Sequence, residues 1–362
     1  MTDHLFSPLS IRETTVRNRV MVSPMCQYSC DRDGLATDWH EVHLGSRATG
    51  GAGIVMTEAT AVEPRGRITP NDLGIWSDDH ADALEPIAEF VSDRGATPAI
   101  QLAHAGRKAS KTRPWDGSEP LAPDEGGWET LAPSAIPYPY EDGETETRKM
   151  TRDDIEALKE DFVAAAERAL DAGFEIAEVH AAHGYLLHEF LSPVTNRRED
   201  EYGGDFEGRT RLIREVVAAV REVWPGDRPV FVRVSASDWL PDRESWTVED
   251  TARLAPLLAD AGADLVDVSS GGTHPDQQIP QTGPNYQVRY AERVGEATEA
   301  LVGAVGGITE AEQADAVIRN DRADLAIVGR EHLRDPYFAL HAAEKLDADE
   351  VEWPIQYRRA AE

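Results

Sequence analysis

Asp171-Ala-Gly-Phe-Glu-Ile-Ala-Glu-Val179 returns twice further along the chain, as Asp260-Ala-Gly-Ala-Asp-Leu-Val-Asp-Val268 and as Asp321-Arg-Ala-Asp-Leu-Ala-Ile-Val328. Each copy ends a helical pattern, turns on small residues and enters an apolar run, as a helix does when it hands over to a buried parallel strand. Thr49-Gly-Gly-Ala-Gly-Ile-Val-Met56 is a looser fourth copy. Ahead of the first copy, Thr151 with Asp154 reads as an N-cap with an acidic third position. Ile155, Leu158, Phe162, Ala165 and Ala169 then follow at helical spacing until Gly173 stops the helix. Leu212, Ile213, Val216, Val217 and Val220 mark the next helix.

Working outward from these copies, strands are predicted over 19–23, 54–57, 97–102, 176–180, 230–234, 265–269, 301–305 and 325–328. Strands alternating with helices in this number indicate a (β/α)8 TIM barrel, an α/β fold. A doubly wound sheet is the alternative, but no Gly-x-Gly-x-x-Gly turn follows the first strand. No linker divides the chain, so residues 1–362 are expected to form a single domain with a C-terminal arm over 351–362. One segment breaks the rhythm: residues 109–149 are rich in Pro, Gly, Trp and acidic residues. A connection of that length after the third strand suggests a lid or binding loop, the alternative being a disordered acidic insertion.

With 362 residues, 41% of them hydrophobic, and two cysteines, the chain can bury a large core without disulfides. Cys26 and Cys30 lie four apart with no second pair, which argues against a structural zinc or an iron–sulfur cluster. No leader-like segment opens the chain, and no apolar run approaches the ~20 residues that span a bilayer. The expectation is a soluble, uncleaved protein of a reducing cytoplasm. A formal net charge of −31 disfavours nucleic acid and anionic membranes as partners. Lysine occurs only at 108, 111, 149, 159 and 345, while Asp and Glu run over the whole length. That balance resembles the acid-coated surface of a protein from a salty cytoplasm.

In a barrel the C-terminal ends of the strands form one face. Ser23-Pro24-Met25-Cys26-Gln27-Tyr28 follows the first strand, Glu58-Ala59-Thr60 the second, the segment from Gln101 to Lys108 the third and the segment from His180 to Tyr185 the fourth. Arg233 belongs to the fifth, Gly306-Gly307 to the seventh and Gly329-Arg330 to the eighth. Glycines after the last two strands let backbone N–H groups approach a phosphate, and Arg330 adds charged donors. His180 and His183 can hold one oxygen between them while Tyr185 offers a proton to a neighbouring atom, a division of labour that suits activation of a carbonyl. The histidine pair could instead be half of a zinc site, although no third ligand appears at a metal-binding spacing, or two core histidines satisfied by backbone.

The motifs Ser23-Pro-Met-Cys26-x-Tyr28, Trp39-His40-x-x-His43, Gln101-Leu-Ala-His-Ala-Gly-Arg107-Lys108, His180-x-x-His183-Gly-Tyr185-Leu-Leu-His188-x-Phe-Leu-Ser192-Pro193, Asn196-Arg197-Arg198-x-Asp-Glu-Tyr-Gly-Gly204 and Gly329-Arg330 span the chain. Together they resemble the Old Yellow Enzymes, most closely the short bacterial subclass with a flavin-contacting cysteine. The resemblance implies tightly but non-covalently bound FMN, NADPH or NADH as hydride donor, and ping-pong reduction of activated carbon–carbon double bonds in enones or nitroalkenes.

Carried over, Ser23, Pro24, Met25, Cys26, Ala59, Gln101, Arg233, Gly306, Gly307, Gly329 and Arg330 would hold the flavin. His180 and His183 would bind the substrate oxygen, Tyr28 would line that site, and Tyr185 would protonate the α-carbon. Trp39, His40, His43 and residues 197–202 are expected to fix loops. The subclass tends to end in an arginine followed by Gly-Trp, whereas this chain reads Gln356-Tyr357-Arg358-Arg359-Ala-Ala-Glu362. Arg359 is the best match to an arginine that relatives send into a neighbouring subunit's site, in a homodimer or homotetramer. A dienoyl-CoA-reductase-like flavoenzyme, a metal-dependent barrel hydrolase using His180 and His183, and a flavin-binding module without turnover are the alternatives.

Overall fold

The structure, a computed structural model, describes residues 3–360 except 142, 281 and 350. Of the expected single domain and its C-terminal arm, residues 1–2 and 361–362 lie outside the described residues, as does residue 142 of the expected lid. Eight strands, β1 (Val20–Val22), β2 (Ile54–Ala61), β3 (Thr97–Ala103), β4 (Ile176–Ala181), β5 (Val230–Ser235), β6 (Leu265–Ser269), β7 (Leu301–Val305) and β8 (Leu325–Val328), close into a parallel barrel. Helices return the chain between them, among them α1 (Asp38–Thr49), α2 (Asp78–Asp93), α3 (Arg152–Asp171), α4 (Leu186–Leu191), α5 (Phe206–Val223), α6 (Val248–Asp260), α7 (Val288–Gly295), α8 (Ala311–Arg319) and α9 (Arg330–Arg334). The expected (β/α)8 architecture is the observed one.

Strand periodicity explains where the core ends and the site begins. In β5, Val230, Val232 and Val234 pack outward against the helices while Phe231 faces the barrel axis. The same alternation in β4 sends Ala177 and Val179 outward and Ile176 inward, so Glu178 and His180 stack above Ile176. Inside, Met21, Ile54, Met56, Ala99, Ile176, Phe231, Leu265 and Ile327 form an apolar layer. An antiparallel hairpin, Leu9–Ile11 with Thr14–Val16, closes the bottom by adding Ile11 and Val16 to that layer. Polar side chains are left to the upper layer, at the strands' C-terminal ends.

Two local features matter for the site. Thr151 Oγ1 accepts from the Asp154 N–H at 3.1 Å while Asp154 Oδ2 accepts from the Thr151 N–H at 2.7 Å, so α3 begins where the cap was predicted. By contrast β2 runs to Ala61, past its predicted end at 57, because its pairing with β3 shifts between Met56 and Ala59. Thr57 Oγ1, turned inward there, accepts the Gln101 N–H at 3.2 Å. The bulge re-aims the strand end, which periodicity alone does not reveal.

Residues 109–149 carry one short element of sheet among the described residues. Thr130–Ala132 pairs in parallel with Thr147–Lys149, and Arg198 ties the segment down by donating to the Pro133 and Met150 carbonyls at 3.1 and 2.7 Å. His40 fixes the chain after β1, with its Nε2 3.3 Å from Glu58 Oε1, and Glu58 Oε2 accepts the Gln27 N–H at 2.8 Å. The loop-fixing roles expected of His40 and Arg198 are visible here, and Trp39, although largely exposed, donates its indole N–H to Gln27 Oε1 at 3.1 Å in the same loop.

Candidate active site

The strand ends converge on one face. A cleft of about 580 Å³ is lined by Met25, Tyr286, Gln287, Gly306, Gly307, Gly329 and Arg330, among others. Gly306 and Gly307 have φ of +114° and +69°. A Cβ at 306 would collide with the Gln287 side chain and one at 307 with the Gly283 carbonyl, so only glycine leaves room there. Gly329 faces the end of β1, where a Cβ would lie 3.7 Å from Ser23 Cβ. Arg330 opens α9 immediately after it. Backbone N–H groups at glycines with no side chain of their own, beside a guanidinium, fit the phosphate end of a mononucleotide. Tyr286 and Gln287, on the stretch before α7, belong to this cleft and carry no motif that singles them out in the sequence.

Deeper in, one polar layer crosses four strands. Gln101 Nε2 donates to Glu178 Oε1 at 2.7 Å. Arg233 Nη2 donates to Ser23 Oγ at 3.2 Å, and its Nε lies 3.2 Å from Asp267 Oδ2. Burial raises both carboxyls, and Glu178, which also faces the Asp267 charge, is pushed well above the usual range. The layer therefore sets two carboxyls beside an Arg233 whose Nη1 donates no hydrogen bond among the described residues. An amide and a guanidinium exposed at one level match the donor and acceptor edge of a flavin pyrimidine ring. Glu178 and Asp267 escape sequence reading because each looks like an isolated acid inside an apolar run.

The third group stands at the end of β4. The His180 ring lies 5.2 Å from His183 and 5.3 Å from Tyr185, centroid to centroid. His183 Nε2 lies 2.8 Å from Ser269 Oγ, whereas His180 Nδ1 is buried and without a partner. Burial, with the Arg233 charge, lowers both imidazoles well below their usual value, so the pair is neutral. Burial pushes the Tyr185 phenol well above its usual value, Cys26 and Asp72 adding to the effect. Cys26, Tyr28, Trp128 and Tyr185 pack together against Ile68, Ala105 and Ala109. Burial likewise keeps Cys26 a thiol.

Lys108, also missed as a site residue, donates to the His183 and Gly272 carbonyls at 2.8 and 2.9 Å. Its ammonium lies 4.9 Å from the Tyr185 ring centre, and burial lowers it to about 7. Ala59 is nearly buried beside this group on β2. Arg359 stands apart, in a surface recess with Tyr337, His341, Trp353, Gln356 and Tyr357. Among the described residues no three His, Cys, Asp or Glu side chains gather as metal ligands, and no helix is long and apolar enough to cross a membrane.

A closed barrel whose C-terminal face joins a phosphate cleft, a pyrimidine-matching polar layer and a histidine–tyrosine cluster defines a flavin-binding barrel oxidoreductase. The model of the NADH:flavin oxidoreductase / NADH oxidase family matches residues 4–349, and the chain belongs to that family. It is thus an FMN-dependent oxidoreductase that draws on a nicotinamide nucleotide. NADPH dehydrogenase of Geobacillus sp. (strain WCH70) is 47% identical over 361 residues, 99% of each chain, and that of Bacillus subtilis (strain 168) is 44% identical over 362 residues, again 99% of each. Among solved structures, morphinone reductase matches with TM-score 0.78 at 27% identity, over 98% of this chain and 93% of that one. The old yellow enzyme homologue from Zymomonas mobilis matches with the same TM-score and identity, over 98% and 96%.

Proposed function

We propose that the protein is an ene-reductase of the Old Yellow Enzyme type, reducing the double bond of α,β-unsaturated carbonyl or nitro compounds at the expense of NAD(P)H. The observation that carries this reading is the cluster of His180, His183 and Tyr185, in which the other two rings lie within 5.3 Å of the His180 ring, centroid to centroid. Bound FMN would supply the hydride chemistry, accepting from the nicotinamide and giving to the substrate β-carbon. The chain's own residues do the rest. Ser23, Pro24, Met25, Cys26, Ala59, Gln101 and Arg233 hold and polarise the flavin, with Gly306, Gly307, Gly329 and Arg330 at its phosphate. His180, with no hydrogen-bond partner at Nδ1, and His183 draw charge onto the substrate oxygen. Tyr28 closes one wall, and Tyr185 delivers its proton to the α-carbon. Donor and alkene use the same site in turn, which gives ping-pong turnover.

The free Cys26 beside Tyr28 and Tyr185 supports the cysteine-bearing subclass. The exposed Ile355, and the exposed Tyr357 that shares a recess with Arg359, support a homo-oligomer in which Arg359 serves a neighbouring site. The segment 109–149, whose Tyr138 ring lies 5.2 Å from Lys108 Nζ, is read as the lid over the site, on a single-domain chain. The net charge of −31 supports a salt-rich cytoplasm as the setting.

Tyr185→Phe tests the reading. Stopped-flow reoxidation of the reduced enzyme by 2-cyclohexenone is expected to slow by roughly 10² to 10⁴-fold, with reduction by NADPH much less affected. Equal slowing of both half-reactions would mean that Tyr185 shapes the shared site and does not donate the proton.

A further inference from the structure

Two of the three reacting side chains hang from the turn His183-Gly184-Tyr185, whose backbone is left-handed at His183 and Gly184, with φ of +59° and +69°. A non-glycine residue in that region is strained and persists only where its surroundings impose it. Ser235 Oγ accepts the His183 N–H at 2.9 Å, and Lys108 Nζ holds the His183 carbonyl at 2.8 Å. The middle of the turn has a different anchor: His188 Nδ1 accepts the Gly184 N–H at 2.8 Å.

Because Nδ1 accepts, the proton of a neutral His188 is on Nε2, which lies 3.1 Å from Asp238 Oδ1. Asp238 collects further donors, with Thr273 Oγ1 at 2.6 Å on Oδ1, and Ser192 Oγ at 2.6 Å and the Trp246 N–H at 2.8 Å on Oδ2. Ser192, His188, Asp238 and Thr273 are all fully buried, so none of them reaches substrate. Although burial opposes its charge, His188 and the two hydroxyls hold Asp238 below the usual carboxylate range. The turn is also clamped from outside, since a Cβ at Gly272, next to Thr273, would collide with the His183 carbonyl. One carboxylate, gripped by four donors from three segments, is thereby aimed through one imidazole at one peptide N–H.

We infer that His188 and Asp238 form a positioning relay that fixes the Gly184 peptide and so aims His183 and Tyr185 during proton delivery. The inference rests on the reading of Tyr185 as proton donor and assigns the residues that set its geometry. A misplacement of about 1 Å in a reacting group can cost roughly 10²-fold in rate, and the relay acts on the residue between two such groups.

The test compares His188→Leu, which removes both hydrogen bonds, with His188→Asn, which keeps an acceptor for Gly184 and loses Asp238. In the holoenzyme, His188→Leu is expected to slow reoxidation by 2-cyclohexenone by roughly 10²-fold, with FMN affinity within about twofold of the parent and amide exchange faster across 183–187. His188→Asn recovers only part of the rate and of the protection, because Gly184 keeps an acceptor that Asp238 no longer orients. Placed on Tyr185→Phe, His188→Leu adds less than about threefold, since residues that act together are non-additive. Full additivity, an unaltered rate, equal loss in the Asn and Leu variants, or loss of FMN in step with activity overturns the relay. Should His188→Leu not fold, Thr273→Val, which removes one donor from Asp238, must still slow reoxidation selectively, and an unchanged rate counts against the proposal. Failure of the proton-donor reading shows separately, as a Tyr185→Phe enzyme with unaltered reoxidation.

Discussion

Arg330 follows Gly329 at the rim of the cleft that also holds Gly306 and Gly307. Its guanidinium lines the same cleft as those glycines, so Arg330→Ala is expected to weaken FMN binding by about 1.5–3 kcal/mol. Fluorescence titration of the FMN-free protein measures this, and unchanged affinity would place the phosphate elsewhere. His180, His183, Tyr185 and Arg330 could be read from the sequence because each stands within a few residues of the end of an apolar strand. Glu178, Asp267, His188, Asp238 and Lys108 could not be read in the same way. Their meaning lies in contacts across long stretches of chain, such as Gln101 with Glu178 or His188 with Asp238, and one strand carries no record of its barrel neighbours.

The elements differ in how openly they declare themselves. α3 was legible from end to end because its cap and its apolar stripe are local features, and the reciprocal Thr151–Asp154 bonds match them. The end of β2 was not, because the bulge after Met56 depends on pairing with β3. The C-terminal segment belongs at this scale too. Tyr357 exposes apolar surface in the recess it shares with Arg359, so truncation after Ile355 is expected to raise KM for enones more than it lowers Tm, and to weaken self-association. Sedimentation velocity with enone kinetics checks this; an active monomer, or a truncated enzyme with unaltered kinetics, would remove the shared site.

Across the whole molecule, repeated helix-to-strand handovers specified the barrel, since eight parallel strands flanked by helices have few other ways to bury both faces. Net charge acts at the same scale. Carboxylates spread over the surface repel one another over a Debye length of ~10 Å at 0.1 M salt and ~3 Å at 1 M, so Tm is expected to rise between about 0.1 M and 3 M KCl. A flat or falling Tm would remove the salt-adapted reading. The chemistry of the whole enzyme is tested most directly by product analysis after anaerobic turnover of 2-cyclohexenone with NADPH. Cyclohexanone with its carbonyl intact, formed one for one with NADPH consumed, is the predicted result. An allylic alcohol, or NADPH consumption that leaves the enone unchanged, would contradict an ene-reductase.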